Sequence, residues 1–154
     1  MKGDPKVIET LNSLLARELT VVSQYMVHAE TCDNWGYDKL HETIQKRAVT
    51  EMKHAESLIG RIIFLEGMPT VSELEKMHIG ADVPGMFAND HEAELDAVKR
   101  YNDGILVCGD AKDYATREIL EHILSEEDDH VDSIEEVLDQ IKHMGIQIFL
   151  STRA

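Results

Sequence analysis

Glu18, Glu51 and His54 recur 76 positions later as Glu94, Glu127 and His130, so a lone Glu, a gap of 33 and a Glu-x-x-His unit appear twice in one chain. Gathered in one place, these residues would offer four carboxylates and two imidazoles. That donor set is rich in oxygen with some nitrogen. It suits iron or manganese with positions left open for oxygen, whereas closed zinc sites favour thiolate or imidazole. Two carboxylates bridging a pair of ions, expected to be Glu51 and Glu127, would hold them ~3.5–4 Å apart. Such a pair can pass two electrons together to O2 or peroxide. A single Glu-x-x-His would carry little weight. A third match, Glu75-x-x-His78, lies in a segment without periodicity and is read as accidental. It is the shared offset of all three residues that counts.

To bring these groups together the chain needs four long helices. Asp4 followed by Pro5 reads as an N-cap and first helical position. Leu11, Leu14, Val21 and Tyr25 then form one apolar face with Glu18 in line. A second stripe, Leu15, Leu19, Val22 and Met26, widens this surface and marks a candidate subunit interface. The helix is expected to end near Asp33-Asn34-Trp35-Gly36. A second helix carries Ile44, Glu51, His54, Leu58, Ile62 and Leu65 on one face and stops at Gly67-Met68-Pro69. Residues 69–84 show no period and close on Val83-Pro84-Gly85. A third helix presents Phe87, Glu94, Val98, Tyr101 and Ile105 and ends before Gly109-Asp110. The fourth runs from about Asp113 with Leu120, Ile123, Glu127, His130, Ile134, Val137 and Ile141 inward; Gly145 breaks it, leaving a short fifth helix in 146–154.

Connection lengths predict the topology. Short turns near residues 35 and 111 make two antiparallel hairpins. The middle linker, ~15 residues at up to ~3.3 Å each, can span ~50 Å, which exceeds the ~45 Å of a 30-residue helix. The second and third helices are therefore expected to run parallel, in an all-α four-helix bundle with one long crossover. Within it each carboxylate of the repeated set stands where its helix should carry an apolar residue. Four buried, unpartnered carboxylates would be costly or would protonate, so the pattern calls for compensating metal charge.

Composition narrows the function. The chain has 154 residues, the length of one domain over 1–154, and a net charge of −15. That balance argues against nucleic acid, which needs a basic stripe, and favours the attraction of cations. No apolar run approaches the ~20 residues of a membrane span. The opening Met1-Lys2-Gly3-Asp4-Pro5 lacks an apolar leader, and Cys32 and Cys108 form neither a metal-ligand spacing nor a disulfide framework. A cytoplasmic setting is expected.

With these residues in place, the chain resembles the bacterioferritins, haem-containing members of the ferritin family, whose di-iron bundles already exemplify this ligand pattern. The likeness covers essentially the whole chain. It includes Met1-Lys2-Gly3-Asp4, Asn34-Trp35-Gly36, Glu51-Met52-Lys53-His54-Ala55, Phe64-Leu65-Glu66-Gly67 and Met144-Gly145. It implies a ferritin-like bundle of four helices with a short fifth, forming a single di-iron domain. The implied activity is that of a ferroxidase oxidising Fe(II) to Fe(III) with O2 or H2O2. The implied assembly is a 24-subunit cage built from dimers that stores ferric mineral. Glu18 and Glu94 would be terminal ligands, Glu51 and Glu127 bridging, and His54 and His130 one to each iron; Tyr25 matches a tyrosine beside the centre. Met52 and its twin across a two-fold axis would be the axial ligands of a shared haem b, which passes electrons to stored iron. A ferredoxin-type reductant and a second bacterioferritin subunit are the further partners implied.

Some positions depart from the family pattern. Lys46 and Thr50 stand where some bacterioferritins have a histidine and an aspartate forming an iron site on the inner wall, and a lysine offers no acceptor. Ser23 and Gln45 replace larger groups around the expected haem. Asn34, Glu66, Asp132 and Asp139 match residues of a pore for incoming iron. A peroxidase similar to rubrerythrin would normally add a Cys-x-x-Cys iron module, which this chain lacks. An inactive scaffold subunit is disfavoured by the complete set of six ligands.

Overall fold

A computed structural model describes residues 1–154 as five helices: α1 Pro5–Asn34, α2 Asp38–Phe64, α3 Val83–Asp110, α4 Tyr114–Met144 and α5 Ile146–Ser151. Aspartates open three of them. Asp4 accepts from the Lys6 N–H with Pro5 in the first turn, Asp82 from the Gly85 N–H, and Asp113 from the Thr116 N–H. Val83-Pro84-Gly85, expected to close the linker, therefore forms the first turn of α3. Proline suits that place because the N–H it lacks would have no partner there.

Two helix ends depart from expectation. α2 stops at Phe64, where Glu66 adopts a left-handed φ of 61° and the Gly67 N–H reaches back to the Ile62 carbonyl. Gly67 is needed for space instead: a Cβ there would lie 2.8 Å from Ile8 Cγ2. α3 continues through Gly109 to Asp110, and Lys112, with φ 56°, is its left-handed cap. Gly36 plays that part after α1 with φ 81°, and it precedes Lys112 by the same 76 positions. The internal duplication thus reaches beyond the Glu and His residues to the caps of both hairpins.

The helices sit at the corners of a square. α1 and α2 form one antiparallel hairpin and α3 and α4 the other. Arg100 bonds Ser13 and Gln24 bonds Asp90, so α3 runs against α1; Arg61 meets Asp113 and Glu51 meets His130, so α4 runs against α2. Hence α2 and α3 are parallel across the diagonal, as the linker length predicts. The crossover lies along α1 on a ladder of side-chain acceptors. Asn12 accepts from the Thr70 backbone N–H, Thr20 from Glu75, Gln24 from His78 and His28 from Gly80, at 2.8–2.9 Å. These spacings put the acceptors on one face of α1 and satisfy a backbone that has no secondary structure of its own.

Two apolar clusters fill the bundle, one including Leu11, Leu58, Ala97, Tyr101 and Leu120, the other Ile44, Phe87, Ile134 and Phe149. A buried polar belt separates them. The inner face of α3 is Phe87, Asp90, Glu94, Ala97, Tyr101, Gly104 and Cys108. Val98 and Ile105, expected on that face, lie half-buried at its flank, as does Ile141 on α4. Leu15, assigned to the outer stripe of α1, is in the core. Leu19 and Val22 are half-buried, and Met26 is 51% exposed. No helix is long and apolar enough to cross a membrane.

Candidate metal centre

The polar belt gathers Glu18 from α1, Glu51 and His54 from α2, Glu94 from α3, and Glu127 and His130 from α4. They form two groups, Glu18–Glu51–His54–Glu127 and Glu51–Glu94–Glu127–His130, each with one ligand atom per residue inside 4.8 Å of the others. Glu51 and Glu127 belong to both. The two groups are related by the repeat, and the shared pair lies between them, where bridging ligands would have to be. All four carboxylates are buried; His130 is the most open of the six. Glu75 and His78 are elsewhere, Glu75 paired with Arg100 at 2.8 Å.

Each carboxylate is oriented by a neighbour. Tyr25 donates its hydroxyl to Glu94 Oε1 at 2.5 Å, and Tyr101 donates to Glu18 Oε1 at 2.5 Å. These tyrosines are also 76 apart, and each reaches across to the glutamate of the other half. Burial, with Glu94 beside Tyr25 and Glu18 beside Tyr101, pushes both phenols well above their ordinary range, so they stay protonated donors. His54 turns Nδ1 toward Glu51 Oε2 at 2.9 Å, while its Nε2 meets Glu126 Oε2 at 3.0 Å. Burial lowers the pKa of the His54 imidazole, but Glu127, Glu18 and Glu51 outweigh it and hold the ring protonated, so both ring nitrogens donate here. A metal would have to displace the Nδ1 proton, with Glu126 keeping the other on Nε2. His130 Nδ1 lies 3.1 Å from Glu51 Oε1.

The sequence reading missed Arg17. Its guanidinium is buried in the centre: Nη1 lies 2.9 Å from Glu127, 3.3 Å from both Glu18 oxygens and 3.4 Å from Glu51, and Nη2 lies 3.0 Å from the Ala93 carbonyl and 3.5 Å from Glu94. Nothing in the local sequence reveals this, because adjacent helix positions point ~100° apart and an Arg beside a buried Glu normally faces water. Tyr101 and Glu126 were missed as well. Tyr101 was accessible by applying the repeat to Tyr25.

Burial and charge sort the acids into two kinds. Burial pushes the Glu18 carboxyl up, but Arg17 and His54 outweigh it and hold it at about 2. Glu94 is likewise held well below the carboxylate range, Arg17 and His130 overcoming burial. Glu51 and Glu127 go the other way: burial and the negative charges of their neighbours raise both. The outer pair is ionised and the shared pair is ready to hold protons. His54 Nδ1 is 2.9 Å from Glu127 Oε1 as well, but points along its bond to Glu51, so that oxygen has no hydrogen-bond partner. A buried oxygen-rich set with an orphaned carboxylate oxygen fits a hard or borderline cation.

Met52 faces away from the core and is 44% exposed. It opens on an apolar cleft of about 230 Å³ whose other walls include Val22, Met26, Ala48 and Val49, with Gln45 at its edge. Ser23 bonds the Leu19 carbonyl at 3.2 Å. Lys46 is exposed, and the Thr50 hydroxyl is spent on the Lys46 carbonyl at 3.2 Å, so neither extends the metal-binding set. Asn34, Glu66, Asp132 and Asp139 are exposed, with Glu66 at the end of the bundle opposite Asn34.

The chain is similar to known proteins along nearly its whole length. The ferritin-like domain family matches residues 8–144. A bacterioferritin of Streptomyces coelicolor is 40% identical over 152 residues, covering 99% of this chain and 91% of its own. Bacterioferritins of Brucella melitensis and Mycobacterium tuberculosis are 37% identical over 145 residues and 33% identical over 149. They cover 94% and 97% of this chain, and 90% and 94% of their own.

Proposed function

The chain belongs to the ferritin-like family, alongside the bacterioferritins, and from that premise we propose that it stores iron by oxidising Fe(II) at the centre of its own bundle. The observation that carries this reading is the pair of overlapping ligand groups sharing Glu51 and Glu127. Two Fe(II) ions held side by side would supply two electrons together, each becoming Fe(III), so that O2 and two protons give H2O2, or H2O2 and two protons give two waters, without a one-electron by-product. The side chains have distinct parts. Glu51 and Glu127 would be shared by both ions, Glu18 and Glu94 would hold the outer sides, and His54 and His130 would each offer Nδ1 to one ion. Tyr25 and Tyr101 keep one oxygen of each outer carboxylate engaged, turning the other toward the cation. With an ion on Nδ1, Glu126 would keep the remaining His54 proton on Nε2.

Met52 is proposed as an axial ligand to haem b. Its thioether is a recognised axial donor, and the apolar cleft beside it would form half of a pocket closed by a second copy across a two-fold axis. Haem there would supply an electron path to stored ferric iron, with a ferredoxin-type reductant as donor. The same reading includes a cytoplasmic, 24-subunit cage, homomeric or mixed with a second bacterioferritin subunit.

The deciding experiment is an anaerobic Fe(II) titration followed by O2 or H2O2, read by absorbance per subunit. Two Fe(II) per chain should oxidise in a fast phase, and Glu51→Ala should abolish that phase. Unchanged kinetics in the variant would remove the di-iron reading.

A further inference from the structure

We propose that Arg17 is a resident counter-cation of the metal-free centre, which must withdraw into an adjoining cleft before two metal ions can be held. The inference rests on the di-iron reading above and adds a competitor built into the chain. One nitrogen, Nη1, lies within 3.4 Å of Glu18, Glu51 and Glu127, the last two being the shared carboxylates. Any ion bridged by those groups needs the lone pairs that the guanidinium now engages. Arginine does not deprotonate in proteins, and three cations in one dry pocket repel strongly. The guanidinium therefore has to move.

The structure offers it a destination. Arg17 also lines a cleft of about 410 Å³, together with Lys76, Glu92, Ala93, Asp96 and Glu75, the last paired with Arg100. Nη2 already bonds the Ala93 carbonyl on its wall, and Nε is without a partner, so only the fork of the side chain is anchored. Glu92 and Asp96 are exposed and one turn apart on either side of Ala93. Arg100 already meets Asp96 at 3.4 Å, whereas Glu92 has no ion-pair partner and is the open anionic seat beside the carbonyl that Nη2 holds. Position 93 is the duplicate of position 17. Being alanine, it neither blocks the path nor brings a second guanidinium from α3.

The test is an anaerobic Co2+ titration of the metal-free protein, followed by the visible absorbance of bound Co2+, with thermal unfolding measured before and after. Arg17→Gln should bind Co2+ at least about tenfold more tightly than wild type. Its metal-free form should melt lower, and saturating Co2+ should raise its Tm by more. Equal or weaker affinity, in a variant whose circular dichroism and particle size match wild type, would overturn the proposal while leaving the metal centre standing. If the variant does not fold, a crystal of wild type soaked in Co2+ decides. Arg17 should then lie in the cleft against Glu92, and a guanidinium still bonded to Glu51 and Glu127 beside cobalt would overturn it. Failure of wild type and variant alike to bind Co2+ would overturn the metal-centre reading and this inference together.

Discussion

Four carboxyl groups buried in one core cannot all remain ionised unless positive charge stays among them. In the bundle that charge comes from Arg17 and the protonated His54, and the acids respond unequally, Glu18 and Glu94 ionised and Glu51 and Glu127 shifted upward. Divalent ions need the shared pair deprotonated. Loading should therefore release protons, and affinity should rise with pH while Glu51 and Glu127 still hold them. Calorimetric titration of Co2+ in buffers of different ionisation enthalpy measures the release directly. Binding with no proton release at pH 6 would contradict the assignment of these two residues.

At the scale of the helix, the caps hold the site in register. Asp113 opens α4 by accepting from the Thr116 N–H at 3.0 Å and hydroxyl at 2.5 Å, and it ties the start of α4 to α2 through Arg61 at 3.2 Å. Burial pushes its carboxyl up, but the Thr116 and Arg61 contacts outweigh that and hold it below the ordinary value. Replacing Asp113 by Ala should cost about 1–2 kcal/mol in chemical denaturation at pH 7. The sign of its pH dependence follows. The folded pKa lies below the unfolded value of about 3.9, so the contribution is complete above pH ~4 and fades as pH falls through the folded value. The gap between wild type and variant should close in that acid range; a gap that persisted there would mean the cap acts without its charge.

For the whole molecule, the informative surface is the one the bundle does not use. Met26, Val49 and Met52 stay exposed around an apolar cleft on α1 and α2, an arrangement that favours a second copy over water. Met52→Ala should remove haem absorbance while leaving Fe(II) oxidation in place; haem retained in the variant would put its ligand elsewhere. Closed assembly of 24 chains of 17.4 kDa predicts a particle on the order of 400 kDa by light scattering. A monomer or dimer at every concentration would exclude the cage.

Sequence alone determined which positions are chemically out of place. A glutamate in line with leucines and valines is visible in one dimension, because helical periodicity says which face is buried. The repeat says that the anomaly occurs twice, and the crossover length fixes the parallel diagonal. Tertiary structure decided what depends on several helices meeting. Arg17 reads as a solvent-facing neighbour of Glu18 until α3 supplies the Ala93 carbonyl and α2 and α4 supply Glu51 and Glu127. Tyr25 and Tyr101 look like core aromatics until their hydroxyls cross to opposite halves. Glu66 and Lys112 adopt left-handed backbone that their types do not announce, because the cap bonds around them compensate its cost. Periodicity reports burial one helix at a time, whereas the partners of a buried charge are set by distances between helices.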